Sequence, residues 1–585
     1  MSDATIPVLF FDQAQRYGDR PLFWVKRQDA YTPISWRQAG DAVEALSAFL
    51  LHLGINAGDR ILLLSENRPE WGIADLAIQT IGAWTVPVYP SLTDKDISVI
   101  AADCEPAVCI VSTLDQAKKI RAVRSQANSI RCVLVMDPDR RELSAEQEWA
   151  DALKQGKELF PRLREPFDHR LQALEPSHTA SLLYTSGTTG EPKGVMLSHR
   201  NFLSNAAACL KSFPITDADV HLSFLPLSHV FERMAGWHLM LMAGASVAYA
   251  ESMDTVAQNM TEVRPTIMLG VPRFFEKLHA RVQEGIQHAS PLKRSLAGWA
   301  LGVGRSTMPY RLAHRPLPPL LRLQAAIADR LVFAKLRNRL GGRVRFFVSG
   351  SAPLSKSIAE FFYSAGITIL EGYGLTETSP VIAANCLTAI KFGTVGRPID
   401  GVEVNIAEDG EILTRGPHVM QGYYHKPQET AAAIVDGWFR TGDIGGLDAD
   451  GFLSITDRKK DLIKTAGGKF VAPQKLENLF VTDPCIAQAF VYGDRERYCV
   501  ALIVPNFQRT AGLAPARIKE LVWSRVQVLQ RDLPSFEQVK AIAVLDQEFT
   551  QGAGELTPTL KAKRAAIAAK YHDVLQQLYG VPAAA

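Results

Sequence analysis

Two segments carry the residue types that could handle a polyphosphate. Tyr184 to Gly194 reads YTSGTTGEPKG, and Glu371 to Thr378 reads EGYGLTET. In the first, Gly187 and Gly190 let backbone N–H groups turn toward an anion. The hydroxyls of Thr185, Ser186, Thr188 and Thr189 add donors, and Lys193 adds a compact positive charge. A Walker loop would need Gly-Lys followed by Ser or Thr; here Lys193 precedes Gly194, so that reading fails. In the second, Gly372, Tyr373 and Gly374 expose backbone beside Thr376 and Glu377. A Thr-Glu pair in this setting suits a nucleotide and a hard cation such as Mg²⁺, which takes oxygen ligands. An ordinary helix cap is the competing reading of that pair.

The elements that must position these segments follow from periodicity. RILLLS (from Arg60), WTVPVY (from Trp84), AVCIVS (from Ala107), CVLVM (from Cys132), HLSFLPL (from His221), SVAYA (from Ser246), TIMLG (from Thr266), VRFFVSG (from Val344) and ITILEGYG (from Ile367) read as strands. They alternate with helical patterns such as Ser35 to Gly54, which predicts α/β sheets covered on both faces. In such sheets ligands sit at the carboxyl ends of strands. YTSGTTGEPKG follows Ser181 to Leu183 and is expected to leave a strand there. After Pro398 the texture turns antiparallel, with VEVNI and EILTRG as a hairpin. A compact α+β unit closes the chain. The charged knot Asp457-Arg458-Lys459-Lys460 marks the expected boundary between a large unit (1–457) and a small one (458–585).

A chain of 585 residues exceeds the size at which a single core keeps growing. No basic leader precedes an apolar run, and no apolar stretch is long enough to span a membrane. Seven scattered cysteines without a CxxC pair fit reduced thiols and a cytoplasmic location. Charge is uneven: Pro291 to Arg345 holds twelve Lys/Arg against Asp329 alone, a balance of +11 in a chain of net +3. The segment also carries Trp299, Tyr310, Leu320 and Leu321. Two readings stand for it: contact with an anionic membrane at the inner face, or a solvated helical face with core leucines behind. No recognised module accompanies the charge, so nucleic acid is not expected.

Taken in order, the motifs resemble the adenylate-forming superfamily of acyl-CoA synthetases, luciferases and peptide-synthetase adenylation domains. FLPLSHVFER (Phe224 to Arg233) resembles its acyl-pocket segment and SGSAPL (Ser349 to Leu354) the turn beside adenine, with Ser351 and Ala352. GWFRTGDIG (Gly437 to Gly445) resembles the ribose segment, and TDRKKDLIKTAGGKFVAP (from Thr456) the inter-domain hinge and its loop. The resemblance implies a large domain of parallel and mixed sheets with a small β-barrel-like subdomain, and a small mobile C-terminal α+β domain.

It also implies a two-step reaction: ATP and a carboxylate give acyl-AMP and pyrophosphate, then a thiol, usually coenzyme A (CoA), takes the acyl group. On that reading Thr185 and Glu377 hold Mg²⁺ and Thr376 meets the α-phosphate. Asp443 accepts from the ribose hydroxyls, unless it is only a turn residue. Arg458, Lys460 and Lys464 meet ribose or phosphate, unless they are solvated charges. Lys561, within ELTPTLKAKR, is the adenylation lysine, with Lys563 two residues away as the alternative. Thr559-Leu560 stands where most members have Ser-Gly.

A rotation at Asp457 to Lys460 would exchange Lys561 for the loop Thr465 to Phe470, where Gly467, Gly468 and Lys469 face CoA. FLPLSHVFERMAGWH and MLGVPRFFEKLHARV (from Met268) resemble the long-chain fatty acyl-CoA synthetase branch. His229 and Phe231 are the pocket-mouth candidates, with a core role as the other reading of His229. Ala235 and Gly236 would leave room for an alkyl tunnel. The alternatives are a fatty acyl-AMP ligase that loads a carrier protein, a medium-chain or aryl acid–CoA ligase, and a catalytically silent scaffold.

Overall fold

The computed structural model describes residues 4–124, 129–186, 192–557 and 562–580. Two large sheets organise the first part of the chain. One has nine strands, in the order 397–398, 381–384, 369–374, 346–349, 267–270, 220–223, 246–249, 21–27 and 30–35. The other has eight, in the order 422–423, 192–198, 179–186, 84–88, 60–64, 108–113, 132–137 and 147–148. Both are parallel through the middle; antiparallel strands finish both edges of the nine-stranded sheet and one edge of the eight-stranded sheet, whose other edge, 147–148, is parallel.

Helices fill the space between the sheets. Trp36–His52 starts where Ser35 accepts from the Gln38 N–H while the Gln38 side chain returns to the Ser35 N–H, the reciprocal cap that its sequence encodes. Pro69–Thr80 is buried at every position except Glu70. Its near-uniform burial suits a helix with sheet on two sides. The strand expected from His221 onward stops at Ser223. Asn67 draws the chain away there: its side chain donates to Ser223 Oγ (2.9 Å) and the Leu225 carbonyl (2.6 Å), and it accepts from the Leu227 N–H (2.9 Å).

Residues 403–458 form a five-stranded antiparallel sheet, the smaller β unit expected after Pro398. Further on, strands Ile486–Tyr492, Cys499–Pro505 and Val539–Val544 make a separate three-stranded sheet. Its central strand alternates into two cores. Cys499, Ala501 and Ile503 pack with Leu476, Val522 and Val526, whereas Val500, Leu502 and Val504 pack with Ile567 and Leu575. This unit touches the large one where Arg273 donates to the Ala487 carbonyl (2.8 Å) and Arg509 to the Gln287 side chain (2.5 Å).

Candidate active site

The phosphate-loop sequence does not leave its strand at Tyr184. The strand Thr179–Ser186 runs two residues further and pairs antiparallel with Pro192–Ser198, placing Thr185 opposite Lys193. β-Branched Thr185 favours the extended backbone, and the pairing is described as far as Ser186 opposite Pro192. The motif is therefore the end of a hairpin rather than a strand-to-helix turn. Its tip (Gly187, Thr188, Thr189 and Gly190) and the side chain of Ser186 lie outside the described residues.

Lys193 forms an ion pair with Glu429 and sits 5.2 Å from the centre of the Tyr423 ring. The Tyr423 hydroxyl donates to Glu377 Oε1 at 3.0 Å. Backbone fixes this bridge: the Met420 N–H donates to the Glu377 carbonyl (2.8 Å), and Gly422 and Tyr423 pair with Met196 and Val195. One tyrosine thus joins the two motifs read from the sequence. Tyr423 and Glu429 escaped the sequence reading because neither belongs to a recognisable string; only the fold brings them to Lys193. The donors at hand, the half-buried Glu377 carboxylate and the Thr185 hydroxyl, are hard oxygens and fit Mg²⁺. Among the described residues no group of three or more His, Cys, Asp or Glu forms a metal site by itself. A cation here would therefore complete its shell from phosphate or water.

Thr376 to Thr378 forms a single 3₁₀ turn and caps no longer helix. Before it, Gly374 passes so close to the Pro380 carbonyl that any Cβ would overlap it. The Tyr373 hydroxyl donates to Asp443 Oδ2 at 2.7 Å, and Arg458 Nε lies 3.4 Å from Asp443 Oδ1. Asp443 is 5% exposed and pairs with Arg458 across two antiparallel strands. Its carboxylate is thereby aimed by two side chains. Burial lowers the pKa of Lys460, with Arg458 adding to the effect. Lys464 lies 5.6 Å from the Phe470 ring centre. Lys459 turns away to Asp409 and Glu411. Asp457 is buried and accepts from the N–H groups of Arg458 (2.7 Å) and Gln474 (3.1 Å); burial pushes its pKa up to about 6.

Ser351 adopts a left-handed φ of 69°, with Ala352 following it. Glu371 is buried beside this turn and accepts from the Leu354 N–H at 3.3 Å. Desolvation raises its pKa to about 7, the Leu354 bond opposing only part of the rise. Below that value folded Glu371 keeps a proton that the unfolded chain releases near pH 4.3. Folding stability must therefore fall as pH rises from about 4.3 to 7. Glu371→Gln is expected to remove that fall, about 3–4 kcal/mol across the whole window. Melting temperatures measured from pH 5 to 8 check this: the variant should gain on the parent as pH rises.

Phe231 is 7% exposed, and its ring fills the space over Gly350, whose Cβ would come within 2.9 Å of it. The acyl-pocket segment and the adenine turn thus pack on each other. His229 Nδ1 accepts from the Phe231 N–H at 3.2 Å. The room expected at Gly236 is already taken: a Cβ there would meet the Glu232 carboxylate and, at 2.9 Å, His221 Nε2. Gly236 is small because Glu232 needs to reach His221 (2.8 Å) and Ser223 (2.6 Å), not because it opens a tunnel.

Gly467, and Gly468 with φ 75°, lie at the tip of the short hairpin 463–471, and Lys469 Nζ lies 5.9 Å from the Phe536 ring centre. Lys561 lies outside the described residues; Lys563 caps the helix Arg564–Lys570, and its N–H donates to the Glu555 carbonyl.

Comparisons with known proteins identify the family and the fold. The profile of the family described as AMP-binding enzyme matches residues 10–424, and that of the AMP-binding enzyme C-terminal domain matches 460–581. The long-chain-fatty-acid–CoA ligase FadD15 of Mycobacterium tuberculosis is 34% identical over 98% of this chain and 97% of its own. Long-chain-fatty-acid–CoA ligase 5 of Mus musculus is 31% identical over 95% of this chain and 86% of its own. Among solved structures, the adenylation domain of a carboxylate reductase from Mycobacterium chelonae superposes with a TM-score of 0.77 at 23% identity. It covers 99% of this chain and 91% of that one. The anthranilate CoA ligase AuaEII bound to anthranoyl-AMP gives 0.75 at 18% identity, covering 97% and 98%. At these identities the structures establish the fold alone.

Proposed function

Since the chain belongs to the AMP-binding enzyme family, and is an ATP-dependent, AMP-forming acid–thiol ligase, we propose that its acid is a long-chain fatty acid and its thiol CoA. The observation that supports this most directly is the joining of Lys193 and Glu377 through Tyr423, with Asp443 aimed from the other side by Tyr373 and Arg458. Chain length rests on the named relatives.

In the first step a carboxylate oxygen bonds to the α-phosphorus of ATP and pyrophosphate leaves. Two anions approach, so fixed positive charge and oriented donors must meet the charge that develops. Lys193 supplies such a charge and gives up Glu429 when phosphate arrives. Asp443 accepts from the ribose hydroxyls, held in place by Tyr373. Thr185 and Glu377 hold Mg²⁺, which when bound offsets phosphate charge. In the second step the CoA sulfur bonds to the acyl carbon and AMP departs. The small unit turns about Asp457 to Lys460 between the steps, dividing the chain functionally at 457/458. The buried Asp457, which accepts from the N–H groups of Arg458 within that turn and of Gln474 in the small unit, supports this hinge. No described helix is long and apolar enough to cross a membrane. All seven cysteines are free thiols, which supports work in a reducing cytoplasm.

CoA-dependent AMP release with palmitate, octanoate and benzoate tests the reading. Palmitate is expected to give the highest kcat/KM. Preference for octanoate or benzoate would move the substrate class, and AMP release that requires a carrier protein in place of CoA would move the acceptor.

A further inference from the structure

The helices of the basic segment leave some of their large apolar side chains uncovered. Pro319–Ala328 continues through Asp329–Phe333 into Ala334–Arg339 as one helical run. Leu321, Ala325, Ala328 and Phe333 face the body of the protein. Leu320 (69% exposed), Leu323 (60%), Ile327 (43%) and Leu331 (42%) face outward. Their spacing of three and four residues sets them on one stripe. The expectation of core leucines behind a polar face is thus reversed for these four. Leaving them in water sacrifices burial, so an outward stripe of this kind marks a contact surface.

The charge of the segment that carries the stripe says what the contact is. Arg305, Arg315, Arg322, Arg330, Lys335, Arg339 and Arg343 are exposed and have no carboxylate partner among the described residues. Asp329, the segment's one acid, is taken by Arg337 at 2.7 Å. A second copy of this chain would bring the same unpaired cations face to face, which is repulsive. A nucleic acid would leave the leucines without an apolar partner. An anionic lipid bilayer satisfies both features at once: acyl chains take the leucines, and headgroup phosphates take the arginines and lysines.

We propose that the face built by Leu320, Leu323, Ile327 and Leu331, in a segment rich in exposed unpaired cations, docks on anionic bilayers. Its purpose rests on the proposed long-chain substrate, which partitions into membranes; its binding does not. The face is interfacial and spans nothing, in keeping with the absence of a spanning helix among the described residues.

The test is flotation of the full chain with vesicles of phosphatidylcholine alone or with about 30 mol% phosphatidylglycerol, without ATP, acid or CoA. Binding is expected only to the anionic vesicles and should weaken as salt rises. The triple substitution Leu320→Gln, Leu323→Gln, Ile327→Gln should lower the partition constant at least about tenfold. So should Arg330→Glu with Lys335→Glu. These side chains are exposed, so melting temperature and pyrophosphate exchange with a water-soluble short acid should remain those of the parent. No binding to anionic vesicles, or equal binding by all three proteins, would overturn the proposal. A parent dimer dissolved by the leucine substitutions would overturn it too, assigning the face to a second copy. Because the assay contains no substrate, a failed chain-length reading leaves its outcome unchanged.

Discussion

Lys561→Ala is expected to abolish adenylate formation while leaving thioester formation nearly intact. Pyrophosphate exchange should fall by about 10²–10³-fold, the scale of removing a charge aimed at a developing anion. Transfer from supplied palmitoyl-AMP to CoA should stay within about threefold of the parent, since no phosphoryl transfer remains in that step. The asymmetry follows from the proposed hinge, by which the small unit would present different loops in the two steps. The cores show the physical basis: the unit folds around its own three-stranded sheet, with apolar clusters on both faces drawn entirely from residues 463–578. It can turn without exposing either. Lys563→Ala serves as the internal comparison. If Lys563→Ala shows the asymmetry and Lys561→Ala does not, the two lysines exchange roles. If Lys561→Ala lowers both half-reactions equally, the division of labour between the steps is wrong.

What the sequence showed and hid follows a physical line. Features set by neighbours in the chain were legible. Ser35 marked a helix start, and the β-branched runs marked most central strands within one or two residues. Features set by distant partners were not. Asn67 ends a strand more than 150 residues away by capturing the Leu225 carbonyl and the Leu227 N–H just beyond it, and nothing near Ser223 signals it. Tyr423 and Glu429 reach Lys193 only because the edge strand Gly422–Tyr423 adds to the hairpin. The phosphate motif was recognised by composition, but composition could not say that Thr185 and Lys193 face each other across a ladder. The outward leucines near 320 carried the same helical period as inward ones, and only the packed fold tells the two faces apart.

Arg233→Met is expected to destabilise the large unit by about 3–5 kcal/mol, the scale of leaving a buried charge without its partner. Arg233 and Asp75 are fully buried and form an ion pair. Asp75 also accepts from Thr85 (2.8 Å) and Gln79 (2.7 Å) and lies 3.4 Å from His238 Nε2. The Arg233 guanidinium sits 5.4 Å from the rings of both Trp71 and Phe202 and bonds to Ser181. This knot ties the inter-sheet helix Pro69–Thr80 to the phosphate-loop strand and to the π-helical turn Glu232–His238 just beyond His229 and Phe231. Such turns need their own stabilisation, being rare in isolation. Burial alone would push the Asp75 pKa up; Arg233, then His238 and Thr85, outweigh it and hold the carboxyl well below its usual range. In the parent this stabilisation is complete above pH ~4 and is lost only under stronger acid, so stability from pH 5 to 8 carries no slope from Asp75.

In Arg233→Met, burial dominates and the folded carboxyl binds a proton that the unfolded chain has released. The slope turns negative, and the deficit must grow as pH rises above ~4. A cavity left by the lost side chain would cost the same at every pH. Urea unfolding of the large unit's transition at pH 5 and pH 8 separates the two causes. Asp75→Leu with Arg233→Met should recover most of the loss, because an apolar pair leaves no charge buried. A pH-independent deficit, unrelieved by the second substitution, would mean that Arg233 acts through packing against Trp71 and Phe202 rather than through its charge.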